Sequence, residues 1–249
     1  MWCDQTDGSK IQHVEQMLEV IQQLGVKESS PPCEGVNAMR FGKLGEIDLP
    51  TALREIYEFA DGIKFESYPG QMIPFDRAAK MPRSTLEESV YEVWPFFLAN
   101  YCQSDPISVI VIGPGKGYVM QSRHDGFDRI IATSVAEFFE TLANSPPSEY
   151  YFDDEEESWI FPRELTDEDR TVATELLSKV MTADDPYEGE SMASLAMSMM
   201  TDNEFVEQFK GELFPIVNFR AIVWGRFMKI DSPTAREMTA KYAEDYASR

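Results

Sequence analysis

The chain has 249 residues, 43% of them hydrophobic and 12% aromatic, which is ample for a packed core and excludes disorder over the whole length. Its formal net charge of −22 makes nucleic acid an unexpected partner, because neutralising phosphates requires clustered Lys and Arg. Cys3, Cys33 and Cys102 are odd in number and lack CxxC spacing, so neither a disulfide framework nor a zinc site is expected.

The first ten residues carry no apolar signal core, and no run approaches the length of a membrane span. The expectation is a soluble, cytoplasmic protein with no membrane partner. Residues 11–24 place Ile11, Val14, Met17, Leu18, Ile21 and Leu24 at helical spacing, and Gly25 ends the pattern. His13 lies beside that stripe with no ligand partner near it in sequence and reads as a surface or boundary residue. Residues 27–47, with Pro31-Pro32, Gly35, Gly42 and Gly45, read as a loop.

Residues 48–62 (DLPTALREIYEFADG) form a sharply bounded helix signal. Pro50 suits a first turn, where its missing N–H has no partner to lose. Leu49, Leu53, Ile56, Tyr57 and Ala60 make one apolar face. Asp61-Gly62 is read as the stop, with Gly in the left-handed C′ position. Residues 63–73 are broken by Pro69-Gly70 and read as short strands about a turn. Ser84-x-x-Glu87 has capping-box spacing, and Leu86, Val90 and Val93 extend it into a short helix. From Trp94 the aromatic run WPFFLANY is assigned to a strand.

Residues 107–112 (ISVIVI), 118–122 (YVMQS) and 128–132 (DRIIA) are three β-runs, separated by GPGKG and RHDGF. Connections this short allow an antiparallel meander and not parallel crossovers. Ser134-x-x-Glu137 then opens a helix with Val135, Phe138, Phe139 and Leu142 on one face.

The order of helix, LPxxLRxxYxxxDG, aromatic strand, ISVIVI-turn-GYVMQSRHDG-strand and SVAEFFETL resembles the SMI1/KNR4 family, also called the SUKH superfamily. Leu49-Pro50 to Asp61-Gly62 and Tyr118 to Leu142 carry the likeness, which spans residues 11–145. It implies an α+β domain, an antiparallel sheet packed with helices, and no known catalytic centre. It also implies a protein-binding role, as a bacterial immunity protein that neutralises a toxin or as a regulatory module.

Beyond the likeness, residues 149–212 hold 19 acidic against 4 basic side chains, residues 1–148 hold 21 against 12, and residues 213–249 hold 4 against 6. The acidity is therefore concentrated. Its densest run is Asp153, Asp154, Glu155, Glu156 and Glu157, flanked by Tyr150, Tyr151, Phe152 and Trp159. Such a run reads as a solvated linker or as a docking patch for a basic protein. Thr166-x-x-Asp169 caps a helix carrying Val172, Ala173, Leu176, Leu177 and Val180. Met192, Leu195, Met199 and Met200 line another helix, as core or as an adaptable groove. Phe205, Phe209, Leu213 and Phe214 continue the spacing to Pro215, and Ser232-Pro233 opens a last helix through Tyr246. The expected organisation is an α+β domain over residues 1–148, then an acidic linker and an all-helical region over 149–249.

Three patterns with chemical potential fall short. GPGKG lacks the GxxxxGK[ST] spacing of a phosphate loop and leads into a strand, not a helix. His124 in RHDG would need a serine or cysteine brought beside it, and Ser122 is only a sequence neighbour. The acidic run lacks the DxDxDG pattern of a calcium loop, and no carboxylate pair stands out. No enzyme activity and no cofactor or metal is expected. The expected function is non-enzymatic binding of a protein, a basic toxin domain whose active site it covers, with Asp153, Asp154, Glu155, Glu156, Glu157 and Trp159 on the contacting face. The alternative is a regulatory or scaffolding module with an endogenous partner.

Overall fold

Apolar β-branched runs separated by tight turns can pair only with their neighbours in sequence, and the computed structural model has that arrangement. It describes residues 8–33, 39–41, 45–66, 70–81, 92–99, 106–121, 128–144, 152–153, 158–159, 164–180, 186–210 and 217–248. Helix α1 (Gly8–Gln23) is followed by β1 (Val26–Ser30), β2 (Met39–Phe41), β3 (Gly45–Ile47) and α2 (Thr51–Phe59). Then come β4 (Asp61–Phe65), β5 (Gly70–Met72), the single turn α3 (Phe75–Ala78), β6 (Glu92–Ala99), β7 (Ile107–Ile112), β8 (Val119–Gln121), β9 (Arg129–Ala132) and α4 (Val135–Asn144). Seven strands form one antiparallel sheet in the order β1-β4-β5-β6-β7-β8-β9. The α+β fold with an antiparallel meander is as expected.

Two compact units divide the chain: Met1–Gly126 with Ile130–Arg163, and Phe127–Arg129 with Glu164–Arg249. In the first, Met17 and Ile21 of α1, Leu53, Ile56 and Tyr57 of α2, and Phe138, Phe139 and Leu142 of α4 share one core with Ile63, Phe65, Phe97, Val109 and Val119 of the sheet. In α2 and α4, and at Met17 and Ile21 of α1, the faces read from periodicity are the faces that are buried. Strand β7 is buried at its first five positions, on both faces, which is why ISVIVI is a continuous apolar run and not an alternating one.

Strand β6 contains Pro95, which a central strand tolerates only beside an irregularity. The register supplies one: Pro95 faces Ser108, while Phe97 faces Ile107, so Phe96 is an extra residue. The bulge lets Phe96 and Phe97 both meet Phe138, at 5.5 and 5.2 Å between ring centroids in edge-to-face geometry. The carbonyl of Phe96 stays paired, accepting from Ile73 N–H at 2.8 Å. Burying one more phenyl ring contributes about 1.5–3 kcal/mol, against about 1 kcal/mol for a lost ladder hydrogen bond. The irregularity is therefore favourable on balance.

Three expectations are corrected. Residues 27–47 are not simply a loop, since β1 pairs with β4 at the sheet edge and β2 pairs with β3. Pro50 stands at the N-cap of α2, one residue before the first helical position. Asp61-Gly62 does not end α2: the helix stops at Phe59, Ala60 is already extended, and Asp61 begins β4. Gly62 does take a positive φ, 66°, but inside the strand. A Cβ there would lie 2.8 Å from Pro74 Cγ, and the Asp61 carboxylate accepts from Phe75 N–H at 2.8 Å. The pair is thus a seat for Pro74-Phe75. The helix expected after Ser84 lies outside the described residues. At the start of α4, Ser134 caps Glu137 N–H as expected, while the Glu137 carboxylate reaches back to Thr133 instead of closing on Ser134.

The second unit is helical: α5 (Asp167–Val180), α6 (Pro186–Ser198), α7 (Asp202–Phe209), α8 (Val217–Lys229) and α9 (Pro233–Ala247). Met192, Leu195 and Met199 are fully enclosed and belong to the core, while Met200 is half-buried. Arg226 of α8 donates to the carbonyl of Met197 in the last turn of α6 and, at 2.7 Å, to that of Met200, two residues past its end. Its guanidinium carbon lies 4.6 Å from the centre of the Phe205 ring on α7. One planar cation thereby satisfies helix-end carbonyls and stacks on the next helix.

The Tyr57 hydroxyl donates to Ile73 O at 3.0 Å and accepts from Trp94 Nε1 at 3.4 Å, all three residues being buried. Tyr57→Phe is expected to cost about 1–3 kcal/mol in urea denaturation, because it strands a buried carbonyl and a buried indole N–H. Gly62→Ala forces a left-handed alanine against Pro74 and should cost about 1–2 kcal/mol or more in the same measurement. A Gly62→Ala variant of unchanged midpoint would contradict the seat described above.

Candidate functional site

The segment that carries the acidic run begins and ends in short strands. Strands β10 (Phe152–Asp153) and β11 (Ser158–Trp159) pair antiparallel, Phe152 opposite Trp159 and Asp153 opposite Ser158. Asp153 and Trp159 therefore occupy backbone positions on a two-stranded ribbon. Asp154, Glu155, Glu156 and Glu157 connect the strands and lie outside the described residues. This pairing was not anticipated by the linker reading. The signal for it was present in Phe152 and Trp159, residues of high β-propensity that flank the run, one immediately before it and the other separated from its end by Ser158.

Most other acidic side chains described between 149 and 212 have structural work in the helical unit. Asp167, Glu168 and Asp169 fill the first turn of α5, and Asp202 and Glu204 the first turn of α7, where the helix dipole favours negative charge. The buried Asp169 carboxylate accepts from Thr166 N–H at 2.6 Å and from Thr166 Oγ1 at 2.9 Å. Thr201 and Glu204 make a full capping box at α7. Arg170 then bridges the two helix starts, its Nε donating to Glu204 at 2.6 Å and its guanidinium reaching Asp167 at 3.0 Å. Glu175 pairs with Lys179, Glu207 with Lys210, and Asp202 with Arg226. These acids cap helices and join them.

Arg170 dominates the ionisation of Glu204. Its hydrogen bond, reinforced by the Thr201 N–H and hydroxyl, holds the Glu204 carboxyl down at about 2. Arg226 also lies below its usual value, but for a different reason: burial penalises its charge.

The residues considered for catalysis are not brought together among the described residues. His124 and Ser122 lie outside them, and His13 is on α1 with its side chain likewise outside. In residues 113–117, Lys116 N–H donates to Gly113 O, Gly117 N–H to Ile110 O and Tyr118 N–H to Gly115 O. With these donors engaged, the turn is a β7–β8 connection and offers no cradle for phosphate. The described cysteine, Cys33, has its thiol raised by burial and then by Asp61 and Asp76, which lowers its thiolate fraction. No group of three or more His, Cys, Asp or Glu among the described residues could hold a metal ion. None of the described helices is long and apolar enough to cross a membrane. A scan against protein-family models finds no match, and searches of curated proteins and of solved structures find none.

The Glu204 arrangement gives a pH test. Its folded value of about 2 lies below an unfolded value near ~4.3, so its stabilising contribution is complete above the unfolded value. That contribution is lost as pH falls from about 5 towards 2. Glu204→Gln keeps an acceptor for the capping box and removes the charge. The gap in urea midpoint between wild type and Glu204→Gln should be widest at pH 7 and shrink on acidification. A gap of constant size from pH 7 to 3 would contradict the ion pair.

Proposed function

We propose that this chain acts by binding another protein, without turnover of its own, and that its first unit is a SMI1/KNR4-like domain. On this reading it is an immunity-type protein that neutralises a toxin by covering its active site. The family part of the proposal rests on Leu49-Pro50 to Asp61-Gly62 and on Tyr118 to Leu142. The observation that carries the binding part is the placement of the acidic run. Five consecutive carboxylates, Asp153 to Glu157, sit in a segment whose two ends are paired as strands. Elsewhere in the acidic half, the described carboxylates are largely engaged in helix caps and ion pairs.

Physically the mechanism is simple occlusion. A dense negative segment raises the encounter rate with a basic cleft and sets the orientation of approach, while contact excludes the substrate. Trp159, beside the run, adds an aromatic contact of the kind that anchors interfaces. Attraction of this origin is screened by salt, because the Debye length shrinks to about 3 Å at 1 M.

The test uses the intact tagged chain as bait in native lysate, with washes at low and high salt and identification of bound proteins. A single basic protein retained at low salt and released at high salt is the expected outcome. Replacing Asp153 and Asp154 with Asn and Glu155, Glu156 and Glu157 with Gln should slow its association on the order of tenfold or more. Binding that is unaffected by the five replacements removes the acidic segment from the interface. An endogenous enzyme or envelope component held equally at both salts favours the regulatory module instead.

A further inference from the structure

We draw no further inference here: the strongest candidate, the apolar patch on the α8–α9 pair formed by exposed Met228 and Tyr246 beside half-buried Trp224, carries nothing because nothing in the structure shows what covers it.

Discussion

A phenol buried at 0% exposure must keep its hydroxyl bonded, and the first unit is arranged around meeting that requirement at Tyr57. The hydroxyl lies between Trp94 Nε1 on β6 and the carbonyl of Ile73 just after β5. The backbone continues the relay: Ile73 N–H is bound by the carbonyl of Phe96, the extra residue of the bulge, and Tyr57 O accepts Cys33 N–H at 2.9 Å. One residue of α2 thus connects the segment following β1, the segment following β5, and the central strand. The Phe75 ring stands edge-on to Tyr57 at 5.5 Å and tilted against Trp94 at 5.3 Å, closing the apolar side of the same group. Burial drives the Tyr57 phenol up from its usual value, which favours the protonated, donating form.

The helical unit solves a different problem with a different group. Helix ends leave carbonyls and N–H groups without partners, and two successive helices meet where α6 ends and α7 begins. Arg226 serves the carbonyl end and Thr201 with Glu204 serves the N–H end. Arg170 joins that second cap to the start of α5. The negative charge so prominent in the composition is thus in part the chemistry of helix starts, which a net-charge count alone cannot separate from a partner-binding surface.

Elements whose identity is local were legible in the sequence. The apolar faces of α1, α2 and α4, the β7–β8 hairpin and the caps at Ser134, Thr166 and Ser232 follow from spacing and turn chemistry. Elements that exist because of a distant partner were not. VKESS has no apolar alternation, and β1 forms because β4 offers it a ladder. Asp61-Gly62 is a helix stop by local rules, yet the pull of Pro74-Phe75 and of strand pairing moves it into β4. The bulge at Phe96 depends on where Phe138 lies, which no window of sequence contains. The candidate site was legible as composition only: the acidic run is conspicuous, whereas the pairing of Phe152 with Trp159 around it needs the register.

The bulge in β6 also bears on how this chain can change length. Side-chain direction in a strand has a period of two, so an odd insertion or deletion inverts everything on one side of it. Strand β6 already contains one odd step: Trp94 faces Val109 and Phe97 faces Ile107, two positions apart on β7, although Trp94 and Phe97 are three positions apart in sequence. Deleting Phe96 would leave Pro95 opposite Ser108 and Phe97 opposite Ile107 with no odd step between them, so both halves of the strand would keep their faces and the loss would be the Phe96 ring packed on Phe138. An odd change of length at any other position of β6 would invert one side of it, so single-residue variation is expected to fall at the bulge or in the connections on either side of the strand.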